Sequence, residues 1–259
     1  MSNKAGKKGD FLKSVFLGSP AGMPITSNHL TVNGVSRQLA YSYTLSGWLK
    51  PLGRGYFMRS GDTLTETGAV AALVSNGINV HFSGKTALAL QGYSHYLPLG
   101  QGPVYLSGRG VRKLPDWFEE KFKVNLSSGQ LFNESAQIEQ RLCVKRLTPD
   151  TLGSPYVSEP ERALLEMLDN ITSHQSVAEA RQVMEGMFSL NPHKIEKLLV
   201  SCVKVKVKRL FWALAEKAGL PVISVVNMAE IDFGADAPYV VHGKNVKDTI
   251  MLRNPLTCK

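Results

Sequence analysis

Val35-Ser36-Arg37-Gln38-Leu39-Ala40-Tyr41-Ser42-Tyr43-Thr44-Leu45-Ser46, followed by Gly47 and by Trp48-Leu49-Lys50-Pro51-Leu52-Gly53-Arg54-Gly55-Tyr56-Phe57-Met58-Arg59, is the stretch that decides the fold. At 100° per residue, Val35, Leu39 and Tyr43 fall on one side of a helix and Arg37, Tyr41 and Thr44 on the other, with Gln38 on the flank. One side packs; the other is open to a ligand. Gly47 suits the left-handed residue that ends a helix. Beyond it, Trp48–Lys50 and Tyr56–Arg59 read as two short strands joined by a glycine-rich tip, Pro51 to Gly55, that carries Arg54.

Upstream, Asn33-Gly34 is a turn signal, and Thr26 and Ser27 are good caps for a short helix through Leu30 and Val32. Asp10 to Leu17 has an acidic start and apolar residues at 11, 12, 15 and 16, the spacing of an amphipathic helix, and Gly18-Ser19-Pro20-Ala21-Gly22 stops it. Helix, helix, turn, helix, hairpin is the order of a winged helix-turn-helix.

The charge is placed to match. Residues 1–60 hold Lys4, Lys7, Lys8, Lys13, Arg37, Lys50, Arg54 and Arg59 against Asp10 alone, so +7 of the net +9 lies there. Cations gathered in one small segment suit a polyanion, because each phosphate they neutralise releases counterions; a solvated basic tail is the bland alternative. Arg and Gln early in a recognition helix can pair with guanine or adenine edges in the major groove, while Lys50 and Arg54 suit phosphate or the minor groove. Ser36, Arg37, Gln38, Tyr41, Lys50 and Arg54 are therefore the candidates for contact with double-stranded DNA. Winged helices also bind proteins, and it is the charge asymmetry that favours nucleic acid here.

At 259 residues and 43% hydrophobic, the chain suits a small domain plus a larger one. The expected class is α+β: a winged helix-turn-helix over residues 1–62, then a larger mixed α/β domain over 63–259, with an α/β part (63–150) and a mainly helical part (158–218). Gly68–Ser75 reads as a helix stopped at Asn76-Gly77, Ile78–Phe82 as a strand, Lys85–Gln91 as a helix and Val104–Leu106 as a strand. Pro115 opens a further helix, and Ser158-Glu159-Pro160-Glu161 starts another whose apolar stripe is Ala163, Leu164, Met167, Leu168 and Ile171. Two more helices follow, Val177–Phe188 and Pro192–Cys202. Lys204, Lys206, Lys208 and Arg209 alternate with valines like a strand, yet run into an apolar helix ending at Gly219; that cationic run is either a solvated edge or a patch for an acidic partner or nucleic acid. Tyr239–Val241 and Ile250–Leu252 suit late strands, which a hairpin around Gly243 would pair.

Other chemistries find little support. No run of eighteen apolar residues and no leader is present, which points to a cytoplasmic protein without a membrane partner. Cys143, Cys202 and Cys258 are spaced as ordinary reduced thiols, and the six histidines form no metal-binding pattern. Gly100-Gln101-Gly102 and Gly108-Arg109-Gly110 read as turns. Ser83-Gly84-Lys85-Thr86 echoes the end of a phosphate loop but lacks its upstream glycine, so a helix start capped by Ser83 or Thr86 is the reading. His81 with His95 and Tyr96 suits a structural role better than a polar pocket. No catalytic residue, metal or cofactor is expected. The competing hypothesis is a nucleic-acid-modifying enzyme or nuclease targeted by the winged helix, for which Asp232 with Asp236 is the nearest acidic pair.

Five short blocks, in this order and spacing, resemble the AbiEi antitoxins of bacterial abortive-infection systems. They are Gly47-Trp48-Leu49 through Gly53-Arg54-Gly55-Tyr56, Ser83 to Leu88, Gly92 to Leu97, Glu161-Arg162-Ala163-Leu164-Leu165-Glu166, and Val203 to Phe211. The resemblance covers residues 10–220 and implies a type IV toxin–antitoxin role. Its N-terminal winged helix would repress the operon at promoter inverted repeats, with contacts from Arg37, Gln38, Lys50 and Arg54. Its C-terminal domain would neutralise a nucleotidyltransferase-like AbiEii toxin without a stable complex, which makes Arg162, Lys204, Lys206, Lys208 and Arg209 candidates for antitoxin activity.

Overall fold

The structure is a computed structural model that describes residues 12–93, 102–133, 142–149, 151, 153–171, 173–174, 176–242 and 249–257. Lys4, Lys7, Lys8, Asp10, Phe11, His95, Tyr96, Gly100, Gln101, Gly243 and Cys258 lie outside the described residues. The chain divides into two compact units. One comprises Met1–His81, Gly110–Val124 and Arg146–Tyr156; the other comprises Phe82–Arg109, Asn125–Lys145 and Val157–Lys259.

The first unit opens with α1 (12–17), followed by β1 (Ile25–Thr26), α2 (Ser27–Val32), α3 (Arg37–Leu45), β2 (Leu49–Gly53), β3 (Tyr56–Arg59) and α4 (Glu66–Ser75). Its helices start where side-chain oxygens satisfy free amides: Thr26 Oγ1 accepts from His29 N–H at 3.1 Å, and Ser36 Oγ from Leu39 N–H at 3.2 Å. The turn between α2 and α3 depends on Gly34, whose φ of 77° a Cβ disfavours. Gly34 N–H bonds to Thr31 O and Val35 N–H to Leu30 O, a crossed pair that closes α2 and brings Val35 into the core beside Leu30. Gly47 (φ 76°) ends α3 in the same way, with Trp48 N–H bonded to Tyr43 O, and the chain passes straight into β2.

β2 and β3 pair antiparallel from Leu49↔Arg59 to Gly53↔Tyr56, and β1 joins on the far side of β3. Pro51, Leu52 and Gly53 are strand residues, so the tip is only Arg54-Gly55 rather than the five residues expected. Ser27 N–H at the start of α2 donates to Gly55 O at 2.8 Å and ties the tip to the helix. The core joins Leu12, Val15, Ile25, Leu30, Val35, Ala40, Tyr43 and Leu49.

The boundary expected between residues 62 and 63 falls inside this unit. Asp62 accepts from Gly22 N–H at 2.9 Å, Thr65 N–H donates to Gly22 O at 3.0 Å, and α4 lies so close that a Cβ on Gly68 would sit 2.3 Å from the Gly22 carbonyl oxygen. A later segment belongs to the same unit: α5 (Asp116–Lys121) sets Trp117 against the wing, its ring centroid 5.0 Å from that of Tyr56.

The second unit is built on a five-stranded sheet. Its strands are β4 (His81–Phe82), β5 (Val104–Ser107), β6 (Val124–Ser127), β7 (Val144–Arg146) and β8 (Tyr156–Ser158), in the order β6-β5-β4-β8-β7. β4 and β8 are parallel, with Phe82 opposite Val157. β4 is shorter than the expected 78–82 strand because Val80 N–H turns back to Ile78 O, taking residues 78–80 out of the ladder. The helices are α6 (Gly84–Leu90), α7 (Pro160–Asp169), α8 (Val177–Met184), α9 (Pro192–Ser201) and α10 (Val205–Lys217). Short 3-10 turns at Pro221–Ser224 and Met228–Glu230 and a two-stranded antiparallel sheet of β9 (Tyr239–Val241) and β10 (Ile250–Leu252) complete the described elements. The ambiguous Lys204–Arg209 run is helical from Val205 onward: Val207, Leu210, Phe211 and Leu214 recur at helical spacing and all are buried.

Gly68→Ala separates packing from propensity. Alanine gains about 1 kcal/mol of helix propensity, but the carbonyl oxygen in its way is backbone, and overpacking costs about 1–3 kcal/mol. Thermal unfolding is expected to show a lower Tm for Gly68→Ala and little change for Gly102→Ala, where the space is open; a higher Tm for Gly68→Ala would contradict the close approach.

Candidate nucleic-acid interface

α3 presents its two sides as the sequence pattern implies. Ala40 and Tyr43 are buried, Leu39 is half-buried, and Ser36, Arg37, Gln38, Tyr41 and Ser42 are exposed. Ser36 is occupied as the cap of α3. Among the described residues, no hydrogen bond or ion pair engages the side chains of Arg37, Gln38, Lys50 or Arg54. Lys50 is exposed on β2, and Arg54 is exposed at the two-residue tip.

Arg59, which adds to the charge count, is spent on structure. It donates to Phe16 O at 2.8 Å and Ser19 O at 3.0 Å, with its guanidinium 4.5 Å from the Phe16 ring centroid. The cations open to a ligand on α3 and the β2–β3 hairpin are thus Arg37, Lys50 and Arg54.

The five cationic candidates of the second unit differ in kind. Arg162 Nε bonds Glu166 Oε1 at 2.8 Å, and Arg162 Nη1 donates to Leu142 O at 2.9 Å. Glu166 Oε2 accepts from Ser158 Oγ at 2.8 Å and from Gly84 N–H at 3.1 Å. α7 is buried from Glu161 to Leu168, well beyond the expected apolar stripe: Arg162 and Glu166 pair with each other inside, and Glu161 accepts from Asn191 N–H at 2.9 Å. Lys204 pairs with Asp169 at 2.7 Å, and Lys206 donates to Ile171 O at 3.0 Å beyond the C-terminal end of α7, where the helix dipole favours a cation. Burial lowers the Lys206 pKa.

Lys208 and Arg209 are 4% and 2% exposed. Lys208 donates to Asp232 O at 2.9 Å; Arg209 donates to the carbonyls of Phe233, Ala235 and Ala237 and lies over the Tyr239 ring. Neither the solvated edge nor the open cationic patch considered for this run describes Lys208 and Arg209. These side chains clamp backbone turns, which alternating cations cannot signal locally because their partners lie more than twenty residues away. Sequence reasoning misses Glu166 and Asp169 as organising residues; the signal for Glu166 is a charge four residues after Arg162 inside an apolar helix.

The phosphate-loop echo has a specific answer. Gly84 N–H, at the start of α6, is taken by the Glu166 carboxylate; Lys85 pairs with Glu179 at 2.7 Å, and Thr86 Oγ1 accepts from Tyr105 N–H. Gly84 N–H and the Lys85 and Thr86 side chains are thus already engaged within the fold. Asp232 and Asp236 are exposed and accept from Gly234 N–H and the Thr257 hydroxyl respectively, and no metal-binding cluster occurs among the described residues. Burial pushes the thiols of Cys143 and Cys202 up to about 11. Among the described residues no helix is long and apolar enough to cross a membrane.

Comparison with known proteins bears on all of this. Residues 10–99 match the family described as transcriptional regulator, AbiEi antitoxin N-terminal domain, and residues 101–252 match transcriptional regulator, AbiEi antitoxin, type IV toxin–antitoxin system. The chain belongs to the AbiEi antitoxin family. These matches span both units and reach into the late strands, beyond the 10–220 range that the short blocks covered. The AbiEi chain also resembles the crystal structure of the Rv2827c protein from Mycobacterium tuberculosis, with a TM-score of 0.52 and 15% identity over 84% of this chain and 83% of that one; at this identity the likeness concerns fold alone. No curated protein matches the chain.

The internal role of the second-unit cations carries a graded expectation. Arg162→Ala strands the Glu166 carboxylate and is expected to cost about 3–5 kcal/mol. Arg209→Ala leaves carbonyls without their donor and is expected to cost about 3 kcal/mol or more. Lys204→Ala breaks a half-exposed pair worth less than about 1 kcal/mol. Denaturant unfolding reads all three, and equal losses across the series would refute the distinction.

Proposed function

We propose that this AbiEi chain represses its own operon by laying α3 in the major groove of promoter inverted repeats. Arg37, Gln38 and Tyr41 face base edges, while Ser36, Lys50 and Arg54 hold the backbone. The observation that carries this reading is the exposed, internally unbonded set Arg37, Gln38, Lys50 and Arg54, in a chain whose second-unit cationic candidates are all bonded within the fold. Inverted repeats would take two copies. We further propose that the second unit opposes a nucleotidyltransferase-like toxin without catalysis of its own and without a stable complex. Arg162, Lys204, Lys206, Lys208 and Arg209 contribute by keeping its frame rather than by touching the toxin.

Binding of the full-length protein to its own promoter is expected to weaken steeply with salt. Arg37→Ala and Gln38→Ala should each cost about 1–3 kcal/mol and relax base preference, whereas Lys50→Ala and Arg54→Ala should weaken all duplexes alike and reduce the salt slope by about 1 for each phosphate that is no longer neutralised. Lack of any preference for the promoter over random duplex would remove the repressor reading.

The two activities are best separated by point variants, because cutting the chain at residue 62 would leave part of the first unit behind. The Arg37→Ala, Gln38→Ala, Arg54→Ala triple variant, co-expressed with the neighbouring toxin, should still rescue growth. Rescue that disappears with DNA binding would contradict the division of labour.

A further inference from the structure

α3 exposes two large apolar side chains that packing within the first unit does not explain. Tyr41 is 64% and Leu45 72% exposed. On the helical wheel both fall inside the exposed arc with Arg37, Gln38 and Ser42, and Leu45 lies opposite the buried Ala40–Tyr43 side. They are four residues apart, one above the other on the same face, so they form a short apolar ridge rather than scattered surface groups. Arg37 stands beside that ridge, and the wing into which α3 leads carries Lys50 and Arg54. A ridge set among unbonded cations fits an anionic partner that also offers apolar points. In the major groove, the apolar group on a base edge is the C5-methyl of thymine.

We infer that Tyr41 and Leu45 read thymine methyl groups. The inference rests on the DNA-binding reading above and adds a base identity to it. The four residues from Tyr41 to Leu45 rise about 6 Å and successive base pairs about 3.4 Å, so the two side chains meet thymines about two base pairs apart in each half-site.

The test is equilibrium binding of the full-length protein to the promoter duplex upstream of its own gene, synthesised with thymidine or with deoxyuridine, which lacks only the methyl. Wild type should bind the deoxyuridine duplex about four-fold more weakly for each methyl contacted. Leu45→Ala and Tyr41→Ala should each weaken binding to the thymidine duplex and lose their share of the deoxyuridine penalty. Uracil substituted one position at a time should interfere at sites two base pairs apart.

Equal wild-type affinity for the two duplexes overturns the inference and leaves DNA binding standing, as does a full deoxyuridine penalty retained in both variants. A promoter preference absent from both duplexes overturns both readings. A Leu45→Ala change in oligomeric state, with equal duplex affinities, assigns the ridge to a second copy and likewise overturns it.

Discussion

Burying a carboxylate is costly unless its lone pairs are filled, and Glu166 fills them from three elements: the first amide of α6, the hydroxyl ending β8, and the guanidinium one turn back on α7. Each of these groups begins or ends something. Gly84 follows β4, Ser158 closes the strand parallel to β4, and Arg162 carries the connection on to Leu142 O and the Phe132 ring. The packing of α6 along α7 and the β4–β8 pairing therefore converge on one side chain. A helix start that could attract a phosphate is instead saturated from within, so the motif most suggestive of nucleotide chemistry is a piece of architecture.

Much of the first unit is legible because its signals are local. Thr26 and Ser36 act on amides three residues ahead, and Gly34 and Gly47 close the helices they follow, so helix boundaries can be read to within about two residues. What escapes is non-local. β1 is two residues long and exists because β3 lies beside it, and Trp117 belongs with a hairpin more than sixty residues earlier. The candidate interface follows the same division. The wheel places Arg37, Gln38 and Tyr41 on the exposed side correctly, but it gives no sign that Arg59 is committed to Phe16 and Ser19, or that Lys208 and Arg209 are committed to a turn at residues 232–237.

The distribution of cations is thus better described by occupancy than by number. In the second unit the candidate cations hold carboxylates or carbonyl groups of the fold; on α3 and the wing they hold nothing within it. A chain with the same net charge and the reverse occupancy would present a different surface to any polyanion.

The first unit is assembled from three stretches, the last ending at Tyr156. On the ribosome, residues 1–81 alone lack Trp117 against the wing, and residues 82–156 take roughly 4–15 s to follow at about 5–20 residues per second. The first unit therefore reaches its final form only after more than half of the polypeptide has been made, and a message truncated before that point yields no complete copy of it. How soon a new molecule carries a complete first unit is set by how far translation has run.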